Sequence, residues 1–240
     1  NFTWHWQFVN LKRLKALLGN SRVRVLAYVR PQFEFIESTY RQRIQSFEGR
    51  DGLPFSRFLK EYNYASANYL EILSRWQKEF GEGSVEVRVY NRERFHKGDI
   101  RRDFLLFSNI PVQYSKFVLP KSDGNSSMHV MTLELMRVAN IFGLTRSRRI
   151  FNWLKKRLQS FDQRVKSKYG SMSYLTHSEC VVVRDKYRVD NDRLFDLFSL
   201  ESRSFTEIPD AKNSEVYSQG VLMRKAFVEL FRHVVNRSNT

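Results

Sequence analysis

Apolar positions fall into two repeats along the chain. Most recur three and four apart, the spacing of one helical face, and two short stretches follow the strand period instead. Residues 7–18 place Phe8, Leu11, Leu14 and Leu18 on one face, and Gly19 stops the helix. Residues 23–29, Val-Arg-Val-Leu-Ala-Tyr-Val, read as a strand covered on both faces. Arg30-Pro31 ends it, and Pro31 suits the first turn of a following helix. That helix carries Phe33, Ile36, Tyr40, Ile44 and Phe47 and closes at Gly49.

Past a loop at 50–54, the pattern predicts helices over 55–62 and 65–80, the second lined by Tyr69, Leu73, Trp76 and Phe80 and stopped by Gly81. Val85, Val87 and Val89 alternate with Glu86, Arg88 and Tyr90 as a second strand. Residues 91–98 form a polar turn, and Asp99 caps a short helix through Phe107. Residues 109–126 read as irregular. Helices are predicted over 127–142 and 146–168, then from a cap at Asp190 through Leu194, Phe195, Leu197 and Phe198, and finally over 214–235.

Helix, strand, tight turn and helix make an α/β unit. Two strands make a poor sheet, so further strands are expected from outside this chain. The opening Asn-Phe-Thr-Trp-His-Trp has no initiator Met and looks like the interior of a domain. The chain therefore reads as a fragment lacking its N-terminal side, the alternative being a trimmed chain with nothing important lost. The expected organisation is a single domain over 1–240, with an α/β core in 1–110 and a helical part in 111–240.

Charge narrows the class of partner. The 240 residues hold 41 Lys+Arg against 25 Asp+Glu, a net +16. Such a surplus calls for an anionic partner: nucleic acid, a phosphate- or sulfate-bearing cofactor, an acidic glycan or an anionic membrane surface. Aromatics at 15% supply a core and argue against wholesale disorder. The single Cys180 excludes an internal disulfide framework and a multi-cysteine metal site. No apolar run approaches the roughly 20 residues that span a bilayer.

Arg30 stands at the carboxyl end of the first strand, the edge at which open α/β sheets bind ligands. Ser38 follows eight positions later on the returning helix. An Arg fork and a hydroxyl so placed can grip one phosphate. The stretch from Tyr28 to Tyr40, with Arg30, Pro31, Ser38 and Tyr40, resembles the 3′-phosphate-binding segment of sulfotransferases that use 3′-phosphoadenosine 5′-phosphosulfate (PAPS).

Further segments resemble the bacterial sulfotransferase-like family found with surface polysaccharide genes. They are Trp76 with Phe80-Gly81 and Val85–Tyr90; Gly98-Asp99-Ile100 with Asp103-Phe104-Leu105; Asn125-Ser126-Ser127 with Leu135-Met136-Arg137 and Asn140; and Asn191-Asp192-Arg193-Leu194-Phe195. The resemblance covers about residues 1–200.

It implies a three-layer, P-loop-like parallel α/β sheet flanked by helices, with the first strands missing here and a helix-rich C-terminal half. It implies sulfuryl transfer from PAPS to a hydroxyl of a glycan or surface polysaccharide, without a metal, in a cytoplasmic or membrane-associated protein. Arg30 and Ser38 would hold the 3′-phosphate. His5 is a candidate general base, the alternative being a carboxylate just upstream of residue 1. The Gly/Lys/Thr-rich loop that holds the 5′-phosphosulfate in this family has no counterpart: Gly81-Glu82-Gly83 lacks the flanking Lys and Thr. The chain alone is therefore expected to be catalytically silent.

Other readings of the same residues stay open. Arg30 could pair with Glu34 or Glu37, Ser38 could be an ordinary helix hydroxyl, and His5 could be structural. His96, His129, His177 and His233 show no metal-ligand spacing, and Cys180 beside three valines reads as a buried apolar residue. The run Arg146, Arg148, Arg149, Lys155, Lys156, Arg157 is either a nucleic-acid stripe or the polar face of an amphipathic helix. The alternative functions are a non-catalytic basic module for nucleic acid or an anionic surface, and an inactive sulfotransferase-like scaffold.

Overall fold

The computed structural model describes residues 10–109, 127–200, 205, 207–208 and 219–238. In chain order the elements are α1 (Leu11–Leu18), β1 (Val25–Val29), α2 (Gln32–Gln45), α3 (Phe55–Glu61), α4 (Tyr69–Phe80), β2 (Val85–Val89), α5 (Ile100–Phe107), α6 (Val130–Ile141), α7 (Arg148–Tyr169), α8 (His177–Phe198) and α9 (Gln219–Ser238). Contacts divide the chain into two units. The first comprises Asn1–Gln32, Asn63–Lys121 and Val182–Glu207; the second comprises Phe33–Tyr62, Ser122–Val181 and Ile208–Thr240.

The three-layer parallel sheet implied by the resemblance is overturned. Of the described residues 68% are helical and 5% are strand, and among them the sheet consists of β1 and β2 alone. The reason lies in the residue pattern. Outside these two valine-rich stretches the described apolar positions repeat at helical spacing, which cannot hold one face of a strand. The two strands pair parallel, Val25 opposite Val85 through Val29 opposite Val89.

In the first unit one sheet face is dry. Ala27, Val29, Val85, Val87 and Val89 pack with Tyr69 and Leu73 of α4, Leu194 and Phe195 of α8, and Phe205. The other face is covered as well, by aromatic and polar groups together, with the Tyr28 ring 5.5 Å from Phe95. Tyr28 and Arg88 project there and meet Asp103 of α5. Asp99 caps α5 as expected, accepting from the Arg101 N–H at 2.8 Å.

Trp76 is half-buried against this core and stacks on Phe80, ring centroids 5.5 Å apart. Trp76→Ala is therefore expected to cost about 1.5–3 kcal/mol in a urea titration, below the 3–5 kcal/mol of a fully buried aromatic. A loss at the fully buried level would mean that the indole seals more of the core than its exposure indicates.

The second unit is built on α2, α3, α6, α7 and α9. Phe33, Ile36, Tyr40 and Ile44 form the buried stripe of α2. The Tyr40 ring meets Phe55, Phe58 and Tyr174 at 5.0–5.1 Å. Gly49, just past α2, is required by close approach: a Cβ there would stand 2.3 Å from the Arg43 carbonyl oxygen. Helix α6 is buried along most of its length, including Glu134 and Arg137, and α7 turns Phe151, Leu158, Phe161 and Val165 inward.

The largest boundary difference from the sequence reading is in α8. Helix α8 opens at His177, not near Asp190. Thr176 and Glu179 form a reciprocal capping box: the Glu179 N–H donates to Thr176 Oγ1 at 3.1 Å and the Thr176 N–H to Glu179 Oε2 at 2.8 Å. Asp190 lies inside the helix and accepts from Asn68 Nδ2 at 2.9 Å.

Candidate functional site

The site sits in the first unit, where both strands end. The Tyr90 N–H donates to the Val29 carbonyl at 2.6 Å and closes the ladder at its carboxyl edge. Arg30 follows immediately and is half-buried. Pro31 has no N–H to lose at the turn, and Gln32 opens α2. Gln32 and Asn191 exchange amide hydrogen bonds at 2.7 and 3.0 Å, both side chains buried, which anchors the chain just after Arg30. Asn191, one of the motif residues, thus has a structural role.

Beside the carboxyl end of β2 opens a cleft of about 280 Å³ lined by Arg88, Val89, Arg94, Phe95, Asp103, Ser199 and Leu200. Its polar wall is one connected network. Arg88 Nη1 donates to Asp103 Oδ2 at 2.5 Å, and its Nε donates to Glu86 Oε1 at 2.7 Å. The Tyr28 hydroxyl donates to Asp103 Oδ2 at 2.6 Å and the His96 N–H to Oδ1 at 3.2 Å.

Burial opposes the charge on Asp103, but the bonds from Tyr28, Arg88 and His96 outweigh it and hold its pKa below the ordinary carboxylate value. Burial, and then the Asp103 carboxylate, push the Tyr28 phenol well above its ordinary value. Tyr28 is therefore a fixed donor at neutral pH and no proton acceptor. The donors of this network are taken by its own carboxylates, Arg88 by Glu86 and Asp103 and Tyr28 by Asp103.

The remaining sequence candidates fall elsewhere. Ser38 is half-buried on α2, in the second unit. Glu37, considered as a partner for Arg30, is engaged by Arg41 at 2.5 Å, by the Ser173 hydroxyl at 2.5 Å and by the Tyr174 N–H at 3.2 Å. His5 lies outside the described residues, as do Asn125 and Ser126.

Cys180 is buried, and burial, with Glu37, Glu179 and Glu34 adding to it, pushes its thiol up to about 11, so it is no nucleophile at neutral pH. No group of three His, Cys, Asp or Glu among the described residues is placed to hold a metal ion. Arg137 and Asn140, prominent in the resemblance, are internal braces. Arg137 pairs with buried Glu134 at 2.7 Å, and Asn140 Nδ2 donates to the carbonyls of Ile44 and Asp51 at 3.1 and 3.0 Å.

Sequence reasoning reached Arg30 but not Arg94 or Ser199. Their approach to the cleft depends on a polar turn after β2 and on the end of α8, neither of which carries a motif. Asp103, Tyr28 and Arg88 each lay in a matched segment, but no motif showed that the three meet.

No protein-family model matches the chain, and no solved structure matches it. It is similar to an uncharacterized protein of Archaeoglobus fulgidus, 28% identical over 182 residues, which cover 73% of this chain and 46% of that relative. The chain thus spans less than half the length of the curated relative it matches. None of the helices among the described residues is long and apolar enough to cross a membrane.

Proposed function

We propose that this chain binds the 3′-phosphate of PAPS and belongs to a sulfotransferase that transfers the sulfuryl group to a hydroxyl of a glycan or surface polysaccharide. The observation that carries the reading is the position of Arg30, directly after a parallel strand and two residues before a helix, as in the segment that residues 28–40 resemble. The reading rests on this junction and on the resemblance of residues 28–40, and needs no larger sheet. Arg30 is the charged ligand of the 3′-phosphate. Ser38 enters as the second ligand from the sequence resemblance alone. The net charge of +16 favours an anionic cofactor.

In such a transfer an acceptor hydroxyl loses its proton to a base and attacks sulfur in line, and adenosine 3′,5′-bisphosphate leaves. The protein supplies positioning and cationic stabilisation. No residue of this chain is assigned as the base or to the 5′-phosphosulfate, so binding is the proper readout. A cytoplasmic location, with membrane association as the alternative, is part of the same proposal.

Calorimetry with two nucleotides tests it. Arg30→Ala is expected to weaken adenosine 3′,5′-bisphosphate roughly ten- to hundredfold, the worth of a charge-assisted hydrogen bond of about 1.5–3 kcal/mol. Adenosine 5′-phosphate, which lacks the 3′-phosphate, should be nearly unaffected. Ser38→Ala should act in the same direction but less. Equal weakening of both nucleotides, or no binding of the bisphosphate by the unaltered chain, would overturn the reading.

A further inference from the structure

The second unit carries an outward face that this function does not use. From Leu135 to Phe161 the sequence contains no acidic residue and seven basic ones: Arg137, Arg146, Arg148, Arg149, Lys155, Lys156 and Arg157. All but Arg137 are exposed. From outside the segment, among the described residues, Glu48 pairs with Arg148 at 3.0 Å. Arg50 adds a further cation, its Nη1 donating to the Arg146 carbonyl at 3.1 Å. The guanidinium groups of Arg50 and Arg148 lie 4.3 and 4.5 Å from the Phe47 ring centroid.

Large apolar side chains stand among these charges. Phe142 is 74% exposed, Leu144 57% and Trp153 57%, and Ile141 and Ile150 are also exposed. All five fall within thirteen residues, on the end of α6, the turn after it and the first turns of α7. On α7, Arg149, Trp153 and Lys156 share one face at helical spacing. The Arg157 guanidinium lies 5.7 Å from the Trp153 ring centroid. Burying Phe151, Leu158, Phe161 and Val165 leaves this mixed face outward.

We propose that this face docks on the surface of an anionic phospholipid bilayer. Two features in combination select that occupant. The basic residues match the negative headgroups, each contributing roughly fivefold to binding near the surface. The apolar tips match the acyl boundary beneath, where Trp and Phe partition favourably. Aliphatic Ile and Leu gain nothing from a nucleic-acid backbone, which argues against DNA or RNA. A second copy of so basic a face would be repelled by it. The inference is independent of the reading of Arg30.

Sedimentation of the full chain with vesicles tests it, using pure phosphatidylcholine and phosphatidylcholine mixed with phosphatidylserine. Binding is expected with the anionic vesicles only, and should weaken as salt rises. Arg146→Gln/Arg149→Gln/Lys156→Gln should lower it about a hundredfold. Phe142→Ser/Trp153→Ser should lower it at least about tenfold while leaving any affinity for duplex DNA unchanged. These side chains are exposed, so the thermal melts of the variants should match the parent. No binding to anionic vesicles would overturn the proposal. So would vesicle binding indifferent to Phe142 and Trp153. Tighter binding to duplex DNA than to the vesicles would assign the face to nucleic acid instead.

Discussion

Arg137→Met is expected to lower the unfolding free energy by about 3–5 kcal/mol, because it strands a carboxylate in the core of the second unit. Glu134 is fully buried. Its Oε2 accepts two bonds from the Arg137 guanidinium, at 2.9 and 2.7 Å, and its Oε1 accepts from the Tyr174 hydroxyl at 2.9 Å. Arg137 Nη1 also donates to the Gly52 carbonyl at 3.2 Å, tying α6 to the loop before α3. Met fills the volume of the stem but supplies no charge.

Urea denaturation measures the loss. The companion Glu134→Leu/Arg137→Met removes both charges and should recover most of the stability, since a buried pair replaced by apolar residues is often neutral or better. Equal destabilisation by the single and double variants would mean that packing around Arg137, not charge pairing, is what matters. Tyr174 should keep its proton throughout: burial first, then the Glu134 charge, raise its pKa well above the ordinary value.

Acid is expected to destabilise the second unit through His129, by on the order of 3 kcal/mol between pH 6.5 and 4. His129 is buried, and burial, assisted by Arg41 and Lys166 and opposed by Asp162, pushes its pKa down to about 4. A histidine with a depressed pKa binds fewer protons folded than unfolded within that window. Its contribution is therefore fully present above the unfolded pKa and is lost as pH falls toward the folded one.

Neutrality also suits its local role. His129 precedes α6 as the cap, with Nδ1 accepting from the Met131 N–H at 3.3 Å. Protonation would convert that acceptor into a donor. His129→Asn keeps a capping oxygen and removes the titration. The difference in stability between parent and variant, followed from pH 7 to 4, should shift by roughly that amount. A constant difference across the range would show that His129 does not drive the acid response.

The local structure was legible wherever one short-range signal sufficed. The spacing of Phe33, Ile36, Tyr40 and Ile44 specified α2 and its buried face, and all four are buried. Asp99 specified the start of α5. Alternating valines specified β2, whose burial alternates to match. Where two signals competed, the more distant one was missed. Asp190 resembles a cap, but the reciprocal Thr176–Glu179 box starts α8 thirteen residues earlier, and a helix once nucleated propagates through an Asp at small cost.

What lay beyond the sequence is of another kind. The parallel pairing of β1 with β2, with no third strand among the described residues, depends on which helices cover the sheet faces. The pattern of each segment alone does not contain that choice. The resemblance suggested a larger sheet, whereas the described residues form two strands and the segments between them repeat at helical spacing.

The candidate site divides the same way. Arg30 and its strand-to-helix junction are local and were readable. The cleft is not, because Tyr28, the stretch holding Arg88, Arg94 and Asp103, and Ser199 lie far apart in the chain. Sequence by itself determined the helices, the two strands, the basic surplus and the residue at the strand end. Tertiary structure alone decided which polar groups were driven together, since a buried charge such as Asp103 persists only where partners from other segments, here Tyr28 and Arg88, compensate its lost hydration.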